Sequence, residues 1–238
     1  WVRGSRNPPA CLRRTDLKDI QNHRRVNDIL LGPLERPALR WLAEHSPAWV
    51  TPDTLTAVGV LGTLMTAAGY LLTLLHPAFL WLASLGFVVN WYGDSLDGTL
   101  ARFRHIERPK FGFFIDHTVD AFSEIAIVLS LGISHLVRFD LASIALIGYL
   151  LMSILVLILT AVTGEFRISY GKLGPTEVRL ILILVNTLAF FTGNPTLPIS
   201  GINITLFDVF VIIIAFILYF FAIQTAVKQT LRLHKLGG

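Results

Sequence analysis

The chain has 238 residues, of which 53% are hydrophobic and only 15% are charged, and its mean hydropathy is +0.63. This balance excludes an ordinary soluble globular domain and indicates that most of the chain lies in lipid. The formal net charge is +4. The single cysteine, Cys11, excludes an internal disulfide and a cysteine-based metal site.

A basic, amphipathic lead-in occupies residues 1–50 and precedes the membrane domain expected over residues 51–238. Residues 1–5 are expected to be an added tag, and the lead-in lacks the contiguous apolar core of a signal peptide. Apolar and charged residues alternate in its second half, which favours an interfacial helix against lipid head groups. The alternating residues are Ile29, Leu30, Leu34, Glu35, Arg36, Leu39, Arg40, Trp41 and Leu42.

Six hydrophobic runs of spanning length follow, so the sequence predicts an all-α, polytopic membrane protein with six transmembrane helices. The runs cover residues 54–75, 78–101, 111–135, 141–164, 178–199 and 204–227. Gly193, Asn194 and Pro195 interrupt the fifth run, where the helix either ends or gives way to a loop.

If all six runs cross the membrane, nearly all lysine and arginine residues lie in segments that face the same side of it. Of the 20 in the chain, only Arg138 lies on the other side. By the positive-inside rule, both termini and the loop after the second run are expected in the cytoplasm.

Four aspartates lie within 27 residues, at the facing ends of the second and third runs. They occur as Asp94-x-x-Asp97-Gly98-x-x-Ala101-Arg102, then nine residues, and then Gly112-x-x-x-Asp116-x-x-x-Asp120. At about 100° per residue, each half of the pattern shares one side of a helix, so both halves can face one cavity. Two like charges about 4 Å apart repel by about 4 kcal/mol, so four clustered carboxylates predict a bound cation.

An oxygen-only ligand set of this kind predicts Mg²⁺ or Mn²⁺ rather than zinc. Such ions usually bind substrate phosphates as well. Arg102 adds a planar cation that is suited to phosphate oxygens. Gly98 and Ala101 remove side-chain bulk beside the carboxylates, which allows a ligand or a second helix to approach the backbone.

The two-part pattern resembles the signature of the CDP-alcohol phosphotransferases, and every fixed position of that signature is present. The resemblance implies an integral membrane enzyme that transfers a phospho-alcohol from a CDP-alcohol donor to an alcohol or lipid acceptor and releases CMP. Two divalent ions are then expected on Asp94, Asp97, Asp116 and Asp120, with Asp120 as the preferred general base and His117 as the second choice. The nucleotide is expected to contact Thr56, Gly98, Ala101, Arg102 and Gly112.

Before the first run, Pro52 and Thr56 match the Pro-Asn-x-x-Thr segment that is common in this family. Asp53 stands where that segment has asparagine, which puts a nucleotide contact at this position in doubt. Thr51 or Asp53 is also placed to cap the helix that Pro52 begins.

The segment between the fourth and fifth runs carries Arg167, Lys172 and Arg179 around a Gly174-Pro175 turn. These cations are either contacts for a substrate phosphate or ordinary positive-inside charges. Glu124 follows Asp120 by one helical turn and is either a functional group or a hydrogen-bonded packing residue.

The segments Asp116-His117-x-x-Asp120 and Gly174-Pro175-Thr176-Glu177 favour the choline and ethanolamine branch of the family. A CDP-diacylglycerol-dependent phosphatidyltransferase is the alternative. A membrane prenyltransferase would lack the Asp-Gly-x-x-Ala-Arg continuation, and a divalent-cation transporter would show inverted repeats and a site near the bilayer midplane. Membrane lipids are expected partners, a homodimer is left open, and no nucleic-acid partner is expected.

Overall fold

The computed structural model describes residues 30–163, 174–199 and 202–236, and most of these residues are helical. A short helix, α1 (Gly32–His45), precedes six longer ones. These are α2 (Pro52–Leu72), α3 (Phe79–Phe103), α4 (Pro109–Ile133), α5 (Phe139–Thr163), α6 (Pro175–Thr192) and α7 (Leu206–Leu236). The expected all-α class is confirmed, and each hydrophobic run corresponds to one long helix.

The helices α2 and α3 pack backbone to backbone through glycine residues. A methyl group added at Gly62 would overlap the backbone of Asn90, and one added at Gly93 would overlap the backbone of Gly59. The Asn90 side chain strengthens this contact, because its amide nitrogen donates to the Gly59 carbonyl at 3.0 Å. Small residues at a helix interface permit this close approach, and it fixes the register of the two helices.

Buried polar side chains join further helices to this pair. The Thr63 hydroxyl of α2 donates to the Ser123 hydroxyl of α4 at 2.9 Å. Deeper in the bundle, Tyr70 of α2 donates to the Asn186 amide oxygen of α6, and the Asn186 nitrogen donates to Ser84 of α3, each at 3.1 Å. Buried hydrogen bonds of this kind accept few alternative alignments, so they fix α4 and α6 against the α2–α3 pair.

One side of α1 packs against the ends of α2 and α3. Leu39 and Ala43 are buried in a cluster with Leu55, Leu96 and Leu100. On the remaining surface of α1, Trp41 is 58% exposed. A helix is therefore present in the lead-in within the described residues, although Ile29 lies outside them, and an amphipathic helix in the lipid interface stays a prediction.

The sixth helix begins three residues earlier than the hydrophobic run suggested. Gly174 is its N-cap and Pro175 its first residue, so the predicted Gly-Pro turn is the start of a helix. Glu177 satisfies the Gly174 backbone nitrogen at 2.9 Å with one carboxylate oxygen. Its other oxygen accepts from the Leu31 backbone nitrogen at 2.7 Å, which ties the start of α6 to the start of α1.

The interruption predicted in the fifth run is confirmed, because α6 ends at Thr192 and Gly193 follows with φ of 72° in the left-handed region. A two-stranded antiparallel hairpin, β1 (Thr196–Ile199) and β2 (Ile202–Thr205), then leads into α7. Asn194 and Thr205 both donate to the Leu136 carbonyl at 3.0 Å, so the hairpin is attached to the α4–α5 connection. This hairpin was not predicted, since four-residue strands give too little periodicity to detect.

Four helices within the described residues, α2, α5, α6 and α7, are long and apolar enough to cross a membrane, judged by length and composition. This supports an integral membrane protein. The helices α3 and α4 fall outside that group, because they carry the aspartates and their polar neighbours. The count of six spans therefore stays a prediction.

Replacing Gly62 with alanine should destabilise the protein, since the new methyl group would meet the Asn90 backbone, which cannot move aside as a side chain can. Overpacking of this kind costs about 1–3 kcal/mol. Thermal unfolding of the purified protein in detergent measures the effect. Gly112→Ala is the matched control, because its methyl group would meet no atom within 4 Å. Equal melting temperatures for the two variants would contradict the glycine-mediated contact.

Candidate active site

Three of the four aspartates converge at one end of the bundle. Asp94 on α3 and Asp116 and Asp120 on α4 each place a carboxylate oxygen within 4.8 Å of the other two. Asp116 and Asp120 are one turn apart on the same side of α4, as the sequence predicted. All three are partly exposed, so a hydrated ion and a ligand can reach them. Three carboxylates at this spacing fit a hard, oxygen-ligated cation.

Asp97 belongs to the same end of the bundle but has other partners. Its Oδ2 accepts a hydrogen bond from the Thr56 hydroxyl of α2 at 2.7 Å. Its Oδ1 accepts from the Gly98 backbone nitrogen at 2.5 Å. Thr56 and Gly98 thus orient the Asp97 carboxylate, which interacts electrostatically with Asp94 and Asp116 although it is not one of the three carboxylates within 4.8 Å of one another. The expected roles of Asp97 as a metal ligand and of Thr56 as a nucleotide contact stay predictions.

Arg179 supplies the positive charge that the carboxylate cluster needs. It lies in the second turn of α6, and its guanidinium nitrogen is 2.5 Å from Asp94 Oδ2. The two side chains are only 14% and 24% exposed. Arg179 also interacts electrostatically with Asp120 and with Glu124, which is hydrogen-bonded by Tyr149 of α5. Its predicted companions in the basic segment, Arg167 and Lys172, lie outside the described residues.

The two glycines of the motif differ from the glycines of the α2–α3 interface. A methyl group added at Gly112 would meet nothing within 4 Å, and one added at Gly98 would meet only the Arg102 guanidinium, at 3.2 Å. Packing within the protein therefore requires neither glycine. Both leave bare backbone on the helices that carry the carboxylates, and the approach of a ligand there stays a prediction. Ala101, on the same helix as Gly98, is partly buried.

His117 lies beside the cluster rather than within it. Its Nδ1 is 2.8 Å from the Phe113 carbonyl and 3.9 Å from Asp116 Oδ2, and its ring stacks on that of Phe113. Because a carbonyl can only accept, Nδ1 carries the proton in the neutral ring and Nε2 is the basic nitrogen.

The segment between α1 and α2 is held by a residue that sequence analysis missed. Arg104, the C-cap of α3, donates to the backbone carbonyls of Ser46, Pro47 and Val50 at 2.9, 2.9 and 2.5 Å. No sequence signal marks this role, because the acceptors are backbone atoms more than fifty positions away. Next to this segment, Thr51 rather than Asp53 caps α2, since its hydroxyl accepts from the Thr54 nitrogen at 3.2 Å.

The family model described as CDP-alcohol phosphatidyltransferase matches residues 49–233, which include both halves of the aspartate motif and six helices. The chain belongs to this family. The resemblance that the motif carried is thereby confirmed.

Cholinephosphotransferase 1 proteins are similar over most of the chain. The one from Danio rerio is 27% identical over 237 residues, which cover 91% of this chain and 60% of the relative. The one from Gallus gallus is 29% identical over 197 residues, or 78% of this chain and 58% of the relative. The chain thus spans only about three fifths of the length of these relatives.

Two further similarities concern enzymes of inositol lipids. Archaetidylinositol phosphate synthase of Pyrococcus horikoshii is 34% identical over 105 residues, covering 42% of this chain and 55% of the relative. The crystal structure of Mycobacterium tuberculosis phosphatidylinositol phosphate synthase with CDP-DAG bound shares 23% identity, with a TM-score of 0.46. The structural match covers 83% of this chain and 90% of that protein.

We expect Arg179→Ala to lower stability in EDTA and to increase the stabilisation that Mn²⁺ provides. Removing one partner of a buried ion pair typically costs about 3–5 kcal/mol, because the other charge is left uncompensated. Added Mn²⁺ would then replace the lost cation, so its effect on the melting temperature should exceed that in the unaltered protein.

The comparison is a thermal melt of each protein with EDTA and with Mn²⁺. Arg138→Ala is the control, because Arg138 pairs at 2.6 Å with Asp140, away from the cluster. The same Mn²⁺-dependent shift in all three proteins would show that Arg179 is not a counter-charge for the metal ligands.

Proposed function

We propose that this chain is an integral membrane CDP-alcohol phosphotransferase of phospholipid biosynthesis, which transfers a phospho-alcohol from a CDP-alcohol to an acceptor hydroxyl and releases CMP. The convergence of Asp94, Asp116 and Asp120 in a member of this family carries the proposal. The neighbouring bare backbone at Gly98 and Gly112 supports it, because it leaves room for a bulky diphosphate donor.

Asp94, Asp116 and Asp120, with Asp97 beside them, would hold two Mg²⁺ or Mn²⁺ ions. When bound, these ions neutralise the negative charge of the donor diphosphate and stabilise the leaving CMP. The carboxylate spacing in the structure fits this requirement, and Asp97 is already oriented by Thr56 and Gly98.

The reaction is a direct displacement. The acceptor hydroxyl oxygen bonds to the β-phosphorus of the donor while the bond from that phosphorus to the bridging oxygen breaks, and CMP leaves with the bridging oxygen. The hydroxyl proton passes to the Asp120 carboxylate, which lies within the cluster, whereas His117 lies to one side. Ala101, Arg102 and the two motif glycines would receive the nucleotide. No covalent enzyme intermediate is needed.

The choline and ethanolamine branch is the favoured donor class, because relatives named cholinephosphotransferase match across most of the chain. A CDP-diacylglycerol-dependent phosphatidyltransferase is the second candidate. The similarity to the archaetidylinositol phosphate synthase favours it, although over less than half of the chain. Arg179 pairs with Asp94 in the structure, so a role for Arg179 in binding an acceptor phosphate would require that pair to open.

We also propose six membrane spans with both termini and the active site at the cytoplasmic face. The helices α3 and α4 each have 25 residues, or about 38 Å at 1.5 Å per residue, which exceeds the roughly 30 Å of a hydrocarbon core. Their polar residues gather near the ends that the positive-inside rule assigns to the cytoplasm. The exposed surface of α1 would then lie along the head groups, with Trp41 as an interfacial anchor.

A donor screen tests the proposed activity. The purified protein with Mg²⁺ should release CMP from at least one of CDP-choline, CDP-ethanolamine and CDP-diacylglycerol when a matching acceptor is present. Asp116→Asn should abolish CMP release, because it removes a metal ligand without changing side-chain volume, whereas Asp140→Asn at an exposed pair should not. Absence of CMP release from all three donors would overturn the proposal.

The role of Asp120 is tested by separating binding from catalysis. Asp120→Asn should lower kcat by about 10²–10⁴-fold, the usual contribution of a general base, while the Kd for CDP changes by about threefold or less. His117→Gln is the neighbouring comparison and should keep kcat within about tenfold. An equal loss of CDP binding and of kcat in Asp120→Asn would identify Asp120 chiefly as a metal ligand and make His117 the better base.

A further inference from the structure

An ion pair connects the outer ends of α2 and α4. Asp53 lies in the first turn of α2, and Arg108 is the N-cap of α4. The Arg108 guanidinium is hydrogen-bonded and ion-paired to the Asp53 carboxylate. The two residues are 55 positions apart, so the pair links two separate helices rather than supporting one helix.

Both helices that carry this pair lead, one turn further along, to residues of the site. One turn inward from Asp53 on α2 is Thr56, which hydrogen-bonds Asp97. One turn inward from Arg108 on α4 is Gly112, whose nitrogen donates to the Arg108 carbonyl at 2.7 Å. A methyl group at Gly112 would meet no atom within 4 Å, so the packing leaves room on this side of α4, one turn from Arg108.

The pair is poorly suited to a purely structural role. Its side chains are 51% and 60% exposed, and an ion pair that faces water to this extent contributes little to stability. The Arg108 guanidinium also lies 4.4 Å from the centroid of the Phe111 ring. This cation–π contact would keep the guanidinium beside the first turn of α4 after its bond to Asp53 opens.

We propose that the Asp53–Arg108 pair is a latch over the donor entrance, and that Arg108 exchanges the Asp53 carboxylate for the diphosphate of the entering CDP-alcohol. A guanidinium forms paired hydrogen bonds to phosphate as readily as to carboxylate, so the exchange conserves its bonding. The Asp53 carboxylate therefore competes with the donor diphosphate for the Arg108 guanidinium. This assignment rests on the proposed function, because it takes the donor to be a cytidine diphosphate compound.

Calorimetric binding of CDP to the purified protein in nanodiscs with Mn²⁺ tests the latch, with cytidine as the probe that lacks phosphate. Asp53→Asn should tighten CDP binding about three- to tenfold, because the competing carboxylate is gone. Arg108→Gln should weaken CDP binding about tenfold or more, the usual cost of a lost charge-assisted hydrogen bond. The affinity for cytidine should not change in either variant.

The double variant Asp53→Asn/Arg108→Gln supplies the decisive comparison. If Asp53 acts only by competing for Arg108, the double variant should bind CDP as weakly as Arg108→Gln alone. Glu44→Gln is the matched control, because it removes an exposed carboxylate paired with Arg40 at 3.2 Å on α1 and should leave CDP binding unchanged.

The outcomes separate the latch from the proposed function. Unchanged or weaker CDP binding in Asp53→Asn, together with CMP release by the unaltered protein, overturns the latch alone. The latch is also overturned if Asp53→Asn tightens CDP binding by the same factor in the unaltered protein and in Arg108→Gln. The Asp53 carboxylate would then act on CDP through its charge alone and not by competing for Arg108. Failure of the unaltered protein both to bind CDP and to release CMP overturns the proposed function and the latch with it.

Discussion

The close contact between α2 and α3 is the constraint on which the rest of the site depends. Because glycines bring the two backbones together, Thr56 meets Asp97, and Asn90 can reach across to the Gly59 carbonyl. A helix turns by about 100° per residue, so a change of register by one position would turn Asp97 away from Thr56. The Thr63–Ser123 hydrogen bond then aligns α4 with this pair, which places its acids opposite α3.

The charges of the site are balanced by a residue from a distant part of the chain. Three carboxylates within 4.8 Å of one another repel strongly in a partly buried setting, and Arg179 of α6 offsets that repulsion. The arginine lies 85 positions after Asp94. The cluster is thus held by contacts from three helices, and its geometry depends on the bundle as a whole rather than on the aspartate motif alone.

The features predicted from the sequence are those that depend on local periodicity, namely the long helices and the residues that share one side of a helix. Hydrophobic runs located the six long helices to within a few residues, except at the end of the 178–199 run and in the C-terminal extension of α7, and the four-residue spacing of Asp116 and Asp120 predicted their shared side of α4. Contacts between distant segments could not be predicted in this way, because no local pattern encodes a partner. The hydrogen bond from Thr56 to Asp97 and the ion pair of Arg179 with Asp94 are contacts of this kind, and neither was predicted.

The start of α6 carries two long-range contacts, one from Glu177 to α1 and one from Arg179 to the carboxylate cluster, and both need a chain synthesised at least as far as α6. Leu31 is synthesised 146 residues before its partner Glu177, and Asp94 is synthesised 85 residues before Arg179. A chain that ends before α6 therefore holds α1 only through its contacts with α2 and α3, and it lacks the Arg179 counter-charge for its acids. Glu177 and Arg179 both lie in the first two turns of α6, so packing of that one helix against the bundle supplies both contacts.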